Sequence, residues 1–405
     1  MSIGTVTVRN FKSLEELELD LGMVNVLIGA NCSGKSNFLE AIGILSAAAN
    51  GRVDDVSLLA RGVRPGVQRL YKCAFPGVRA HHIEFQATAA GDPSSVYRVS
   101  LFNPIVKGNY TWQYLTEFLG FRGEKLVGRS HRSSQKRDFS IGLAALKLAD
   151  PDPAIPDAAF NIIRDLQSYA IYAPTTPVLR GIASDASPRP PIGLGGGNIA
   201  EALREFQRLA KTDRAHQNYF QGILDDLGDL IDWSSAFAPR GSEAVPVSAS
   251  IPHPKKVIRF TDRFMRPNRN ALSGYDASEG ALYILFHALL ASLPTAPAIY
   301  AVDNADHALN PRLCQTLFSR LCRWILESPW PKQVFLTTHN PMSLNGLPLL
   351  DERVRLFTVS RSLQGKTIIR RVQWNDELEE KRLHAHLTLS DLWLSGVLGG
   401  MPDGL

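Results

Sequence analysis

Cysteine is scarce in this chain: four in 405 residues (Cys32, Cys73, Cys314 and Cys322), with no CxxC pair among them. That spacing argues against a zinc site and against a disulfide framework, and it leaves Cys314 and Cys322 as helix packing residues. No apolar run approaches the roughly 20 residues that a membrane span needs, so no membrane partner is expected. The opening residues, MSIGTVTVRNFKS, show no basic segment followed by an apolar one. No secretory signal is expected, and the expected compartment is the cytoplasm. Internal repeats and long heptad runs are also missing, which argues against solenoids and long coiled coils. Charge is nearly balanced, with 44 Lys+Arg against 39 Asp+Glu and a net charge of +5. A basic excess this mild permits polyanion binding without requiring it. What remains is an ordinary globular composition, 44% hydrophobic and 20% charged, in a chain long enough for two or three lobes.

Alternation in IGTVTV (3–8) and LEELELDL (14–21) predicts paired strands, and the continuous apolar run VNVLIG (24–29) predicts a strand buried on both faces. SGKSNFLEAIGILSAAA predicts a helix that ends near Asn50-Gly51. Short alternating segments such as HHIEFQAT and SVYRVSLF then predict a β-rich insertion, closed by the break DPDPAIP at 150–156. A helix over 157–168 and a strand over 169–173 follow, then a Pro/Gly-rich loop running to GLGGGN. Two helices are expected within 198–232, an irregular stretch after them, and a strong helix over 277–293. The end of the chain alternates: strand 298–302, helix 311–327, and strands 332–337, 353–359 and 366–373.

Residues 29–36, GANCSGKS, match GxxxxGKS in full and sit between a buried strand and a helix. Glycines let such a loop curl so that backbone N–H groups face a phosphate, and the helix that follows presents its positive end to the same anion. The residues expected to line the nucleotide are Asn31, Cys32, Ser33, Gly34, Lys35, Ser36 and Asn37, with Lys35 on the terminal phosphates and Ser36 on magnesium. IYAVD places Asp303 at the tip of a core strand, as a second magnesium ligand or as a cap of the next helix. No Asn-Lys-x-Asp guanine-reading motif occurs in the chain, which favours ATP.

Three further segments are ASEG (277–280), ADHALNP (305–311) and VFLTTHNP (334–341). With NFKSLEEL (10–17) and GANCSGKSN (29–37), they resemble the ABC-type ATPase heads of the RecF, SMC and OLD kind, closest to the compact prokaryotic members found in anti-phage defence modules. The resemblance implies an α/β P-loop NTPase fold: a mostly parallel central sheet, a β-rich insertion and a helical lobe. It implies an ATPase core in 1–50 and 270–375, the insertion in 51–170, the helical lobe in 171–270 and a tail in 376–405. It further implies ATP and magnesium as ligands and a homodimer or higher oligomer closed around ATP. Ser278 and Gly280 match the signature motif read by the nucleotide of the opposite subunit, although Ser278 also suits a helix cap. Asp303 matches the Walker B aspartate, 307–309 the D-loop, and His339 the switch histidine. The Q-loop position falls in APTTP (173–177), which has no glutamine; Thr175 or Thr176 is the candidate hydroxyl there.

The family pattern expects glutamate where Asn304 stands. An amide cannot take a proton from water at neutral pH, and losing a general base costs roughly 10²–10⁴ in rate. Slow turnover is therefore expected, unless Asp306 substitutes by sharing a face with residue 304 on an extended chain. Two basic stretches, 121–138 (Arg122, Lys125, Arg129, Arg132, Lys136, Arg137) and 255–270 (Lys255, Lys256, Arg259, Arg263, Arg266, Arg269), are candidates for sequence-blind nucleic-acid contact. No HNH-like cluster and no acidic set for a TOPRIM-type site is present. The resemblance thus implies an ATP-gated sensor or scaffold that regulates a separately encoded effector, a nuclease foremost, in anti-phage defence. The alternatives are a RecF-like repair ATPase and, ranked last for want of an LSGGQ-type run, a transporter ATPase subunit.

Overall fold

The computed structural model describes residues 3–78, 81–103, 111–130, 138–153, 155–246 and 256–400. A hairpin opens the chain, β1 (Ile3–Phe11) and β2 (Leu14–Asp20), followed by β3 (Val24–Ile28) and α1 (Lys35–Ala49). Short α2 (Asp55–Leu59) leads to β4 (Ile83–Ala89), β5 (Asp92–Phe102), β6 (Gln113–Phe121) and β7 (Glu124–Arg129). Helices α3 (Leu143–Ala149) and α4 (Asn161–Ser168) bring the chain to β8 (Ala170–Tyr172). The lobe that follows comprises α5 (Thr176–Leu179), α6 (Ile199–Thr212), α7 (Gln217–Leu230), β9 (Ser234–Gly241), β10 (Lys256–Asp262) and β11 (Ala271–Ser273). Then come α8 (Glu279–Ser292), β12 (Ile299–Val302), α9 (Pro311–Leu326), β13 (Gln333–Thr338), β14 (Val354–Arg361) and β15 (Thr367–Arg371). Helices α10 (Asp376–His384) and α11 (Leu389–Leu394) close the described chain.

The central sheet has the order β15-β14-β3-β13-β12-β8, parallel throughout except for the antiparallel β14–β15 pair. Its inner strands carry apolar residues on both faces because helices or a second sheet cover both sides. Strand periodicity divides them between two cores. Val24, Val26, Tyr300, Val302, Val334 and Leu336 pack with α8 and the lobe, while Leu27, Ile299, Ala301 and Phe335 pack with α1 and the second sheet.

The second sheet, β2-β1-β4-β5-β6-β7, is antiparallel. Strand β1 pairs with both β2 and β4, so this sheet runs through the boundary expected at residue 51. The stretch after residue 232, expected to be irregular, forms the sheet β11-β10-β9. Its KVIRFTD segment alternates, with Ile258 and Phe260 buried, but Pro239 and Gly241 in the partner strand mask the period. No helix among the described residues is long and apolar enough to cross a membrane.

Helix α8 is buried from Gly280 to Ser292, and Lys332 closes its C-terminal end by donating to the Leu293 (2.6 Å) and Leu290 (3.4 Å) carbonyls. Burial lowers the Lys332 pKa from 10.5 to about 7. The unfolded chain therefore binds an extra proton between these two values, and the stability governed by this group rises with pH across that window. Denaturant titrations of wild type and Lys332→Met at about pH 7 and about pH 9.5 should show the wild type gaining on the variant at the higher pH. An unchanged difference would mean that the amine is hydrated in the folded protein.

Candidate functional site

The loop between β3 and α1 lies at the C-terminal edge of the parallel strands, where open α/β sheets bind ligands. Two of its glycines are forced by close neighbours. A Cβ on Gly29 would lie 2.1 Å from the Val359 carbonyl oxygen, and one on Gly34 would lie 2.1 Å from Thr367 Oγ1. Gly34 also has φ 114°, in the left-handed region. The β14–β15 hairpin thus forms a wall behind the loop. Thr367 Oγ1 donates to the Ser33 carbonyl (2.8 Å) and Arg361 Nε to the Cys32 carbonyl (2.9 Å). Asn37 Nδ2 donates to Ser13 Oγ (2.7 Å), which lies 2.7 Å from Thr367 Oγ1.

In front of that wall, Lys35 Nζ donates to the carbonyls of Gly29 (2.8 Å) and Ala30 (3.0 Å) and lies 3.3 Å from His339 Nδ1. Burial lowers the Lys35 pKa to about 8 against the opposing pull of Asp303 and Asp306. Burial and the Lys35 charge hold the His339 pKa down. Both effects favour the neutral ring, and in that form Nδ1 can accept from the ammonium with the proton on Nε2. Ser36 Oγ donates to Asp303 Oδ2 (2.8 Å), and Thr337 Oγ1 donates to Asp303 Oδ1 (2.5 Å) while accepting from the Asn304 amide (2.8 Å). Asn310, with Leu313 N donating to its side chain, caps α9, so Asp303 is not that helix's cap.

Lys35, Ser36, Asp303, Asp306 and His339 are thus brought together. Asn31 and Cys32 are exposed at the loop tip. The extended chain on which Asp306 was to stand in for a base does not exist. Asn304 has φ 55°, the chain turns immediately, and Asp306 Oδ2 accepts from the amides of His339 (3.1 Å) and Asn340 (2.8 Å). Asp306 therefore positions the histidine turn. Ser278 stands at the start of α8 but makes no side-chain cap bond, and it is exposed. It lines a cavity with Asn310 and Arg312, away from Lys35; the absent Cβ of Gly280 would lie 3.5 Å from the Ala308 carbonyl oxygen.

Thr176 is bonded to Glu279 at the head of α8, and Thr175 is exposed. Of the basic stretches, Arg129 is buried, stacked over Tyr114 and Phe139, with Nη2 donating to the Ile141 carbonyl, so it is unavailable to nucleic acid. Arg132, Lys136, Arg137 and Lys255 lie outside the described residues. Sequence reasoning missed Thr337, Ser13, Thr367 and Arg361. It also missed Glu40, buried on α1 and paired with Lys12 and Arg64. Thr337 sits inside the quoted VFLTTHNP, and its hydroxyl two residues before the histidine was the available signal.

The residues fit the groups that the motif implies. Ser36 and Asp303 offer a hydroxyl and a carboxylate, hard oxygen donors suited to magnesium. The Lys35 ammonium, held against backbone carbonyls in a crowded glycine cradle, suits a phosphate chain.

A family model described as "AAA domain, putative AbiEii toxin, Type IV TA system" matches residues 24–345, from β3 past His339. Among solved structures, the SmcHead bound to the C-winged helix domain of ScpA superposes with a TM-score of 0.55 at 12% identity, over 94% of this chain and 100% of that one. The Smc head domain with an extended coiled coil, bound to the C-terminal domain of ScpA derived from Pyrococcus furiosus, gives 0.50 at 12% identity, over 95% and 99%. At such identity the likeness establishes the fold. The DNA replication and repair protein RecF of Listeria welshimeri and of Listeria monocytogenes is 42% identical over 53 residues. That match spans 13% of this chain and 14% of the relative's length.

The Gly34 contact predicts a stability effect. Gly34→Ala forces a side chain into the left-handed region and against Thr367, and should cost about 1–3 kcal/mol in denaturant titration. Pairing it with Thr367→Gly should lower that coupling cost; strict additivity of the two changes would show that the wall does not touch the loop.

Proposed function

The chain belongs to this family of AAA domains, and from that premise we propose that it is an ATPase head of the RecF and SMC kind that binds ATP with magnesium, closes into a two-fold dimer around it and hydrolyses it slowly. One observation carries the reading: an intact phosphate and metal constellation (Lys35, Ser36, Asp303) stands beside an exposed carboxamide, Asn304, at the position of the expected base. Lys35 holds the terminal phosphates, and Ser36 and Asp303 hold the ion, which neutralises phosphate charge when bound. His339 Nε2–H is the donor left for the terminal phosphate. The amide of Asn304 cannot take the proton of attacking water, and Asp306 has one carboxylate oxygen committed to two backbone amides. The uncapped, exposed hydroxyl of Ser278 supports its use by the nucleotide of a second copy.

We assign this long-lived ATP dimer to a sensor or scaffold that regulates a separately encoded effector, a nuclease foremost, in anti-phage defence. The SmcHead of known structure is bound to a domain of a second protein, which supports partner binding by analogy. A RecF-like repair role is the second reading, favoured by the 53-residue match. Salt-sensitive binding to plain duplex DNA without any partner selects the second reading, and co-purification of a neighbouring gene product in fixed ratio selects the first.

Two changes test the ATP dimer. Asn304→Glu should raise phosphate release by about 10²-fold or more with ATP affinity nearly unchanged. An equal rate in the two proteins would place the base elsewhere. Ser278→Arg should abolish the mass increase that light scattering records with ATP-magnesium in the wild type; a wild type that stays monomeric and empty removes the proposal.

A further inference from the structure

Helix α8 is apolar along most of its length, yet Glu279, Tyr283 and His287 recur at intervals of four and so share one face. Each is bonded to a segment that leaves the central sheet at the nucleotide edge. Glu279 is bonded to Thr176, and Tyr283 donates to the Pro174 carbonyl (3.1 Å); both partners lie just beyond β8. The Tyr283 ring also packs on His307, with centroids 5.3 Å apart. His287 Nε2 lies 3.1 Å from the carbonyl of Ala305, two residues past Asp303. His287 is 1% exposed, and burial lowers its pKa to about 4. It is therefore neutral, with the proton on Nε2 and donated to that carbonyl. Ala305 in turn donates its amide to the Thr337 carbonyl (2.9 Å), and Asp303 donates its amide to the Tyr172 carbonyl (2.9 Å). The turn that carries Asp303 is thus gripped from β8, β13 and α8 together.

At the buried positions Tyr283 and His287, packing alone would be served by leucine, while Glu279 is half-buried at the head of the helix. Buried polar groups are costly when unpaired, so they fix their partners in place wherever they are retained. We propose that Glu279, Tyr283 and His287 are positioning residues that tie the Asp303 turn and the segment after β8 to the helix bearing Ser278, so that these three parts move as one unit. A displacement of the turn then either breaks a buried hydrogen bond or turns the start of α8. The use of that motion to report ATP rests on the function proposed above.

Hydrogen–deuterium exchange on the full chain tests the proposal, using wild type, His287→Leu, His287→Gln and Tyr283→Phe, each with and without ATP-magnesium. Without nucleotide, His287→Leu should speed exchange of amides in 304–309 about tenfold while α1 is unaffected, and His287→Gln, which keeps an N–H donor, should restore most of the protection. Tyr283→Phe should loosen 173–176, and it serves as the milder probe if the leucine variant fails to fold. With ATP-magnesium, the wild type should slow at both 29–36 and 279–282, whereas His287→Leu should keep the first effect and lose the second. Unchanged exchange at 304–309 in His287→Leu and at 173–176 in Tyr283→Phe, or full nucleotide protection of 279–282 in His287→Leu, overturns the proposal. A wild type whose 29–36 amides ignore ATP defeats the nucleotide reading instead, and the nucleotide-free comparison still decides whether the stripe grips the turn.

Discussion

The Asp303 carboxylate is the tie on which the site depends. One oxygen accepts from Ser36 at the start of α1, and the other accepts from Thr337 on β13. Its backbone amide is held by Tyr172 on β8. Three elements that are distant from one another in the sequence therefore converge on one residue, and the parallel sheet is the scaffold that makes convergence possible. Lys35 belongs to the same arrangement, since its ammonium is stabilised by Asp303 and Asp306 while burial works against it. The positive charge of the cradle is thus balanced by the two carboxylates beside it.

Much of this was legible in the sequence, for physical reasons. VNVLIG, IYAV and QVFLTT read as buried strands because both of their faces are covered, and the lysine loop reads as a phosphate cradle because glycine, lysine and serine recur at fixed offsets. Position along the chain could not show lateral packing. Nothing local in TIIRR says that Thr367 backs the cradle, or in NFKSL that Ser13 joins it. The lobe's small sheet was obscured by Pro239 and Gly241, and its basic residues drew attention to charge when strand alternation was the stronger signal. The condition on which Asp306 could share a face with residue 304, an extended chain, is not met because Asn304 turns the chain in the left-handed region.

The Pro/Gly-rich segment offers a similar lesson. It reads as loop throughout, but its start forms one helical turn, α5 (Thr176–Leu179), and the remainder is loop shaped around a carboxylate. Asp185 accepts from the amides of Ser187, Gly195 and Gly197, all at 3.0 Å. A Cβ on Gly193 would fall 2.2 Å from that carboxylate, so the glycines give access to an internal anion in this case. The loop so shaped holds Ala173 and Thr175 through the carbonyls of Leu194 and Gly195, which sets the path of the chain as it leaves β8.

The wall behind the cradle also has a meaning for synthesis. Thr367 and Val359 are the neighbours that confine Gly34 and Gly29, and Ser13 meets Thr367 across 354 residues of separation. A ribosome makes the lysine loop early and its backing late. Contacts this remote in sequence form only after the intervening chain has folded. A nascent chain halted before residue 367 carries the motif without the surface that gives it shape, so the loop takes its final form only with the last strand of the central sheet.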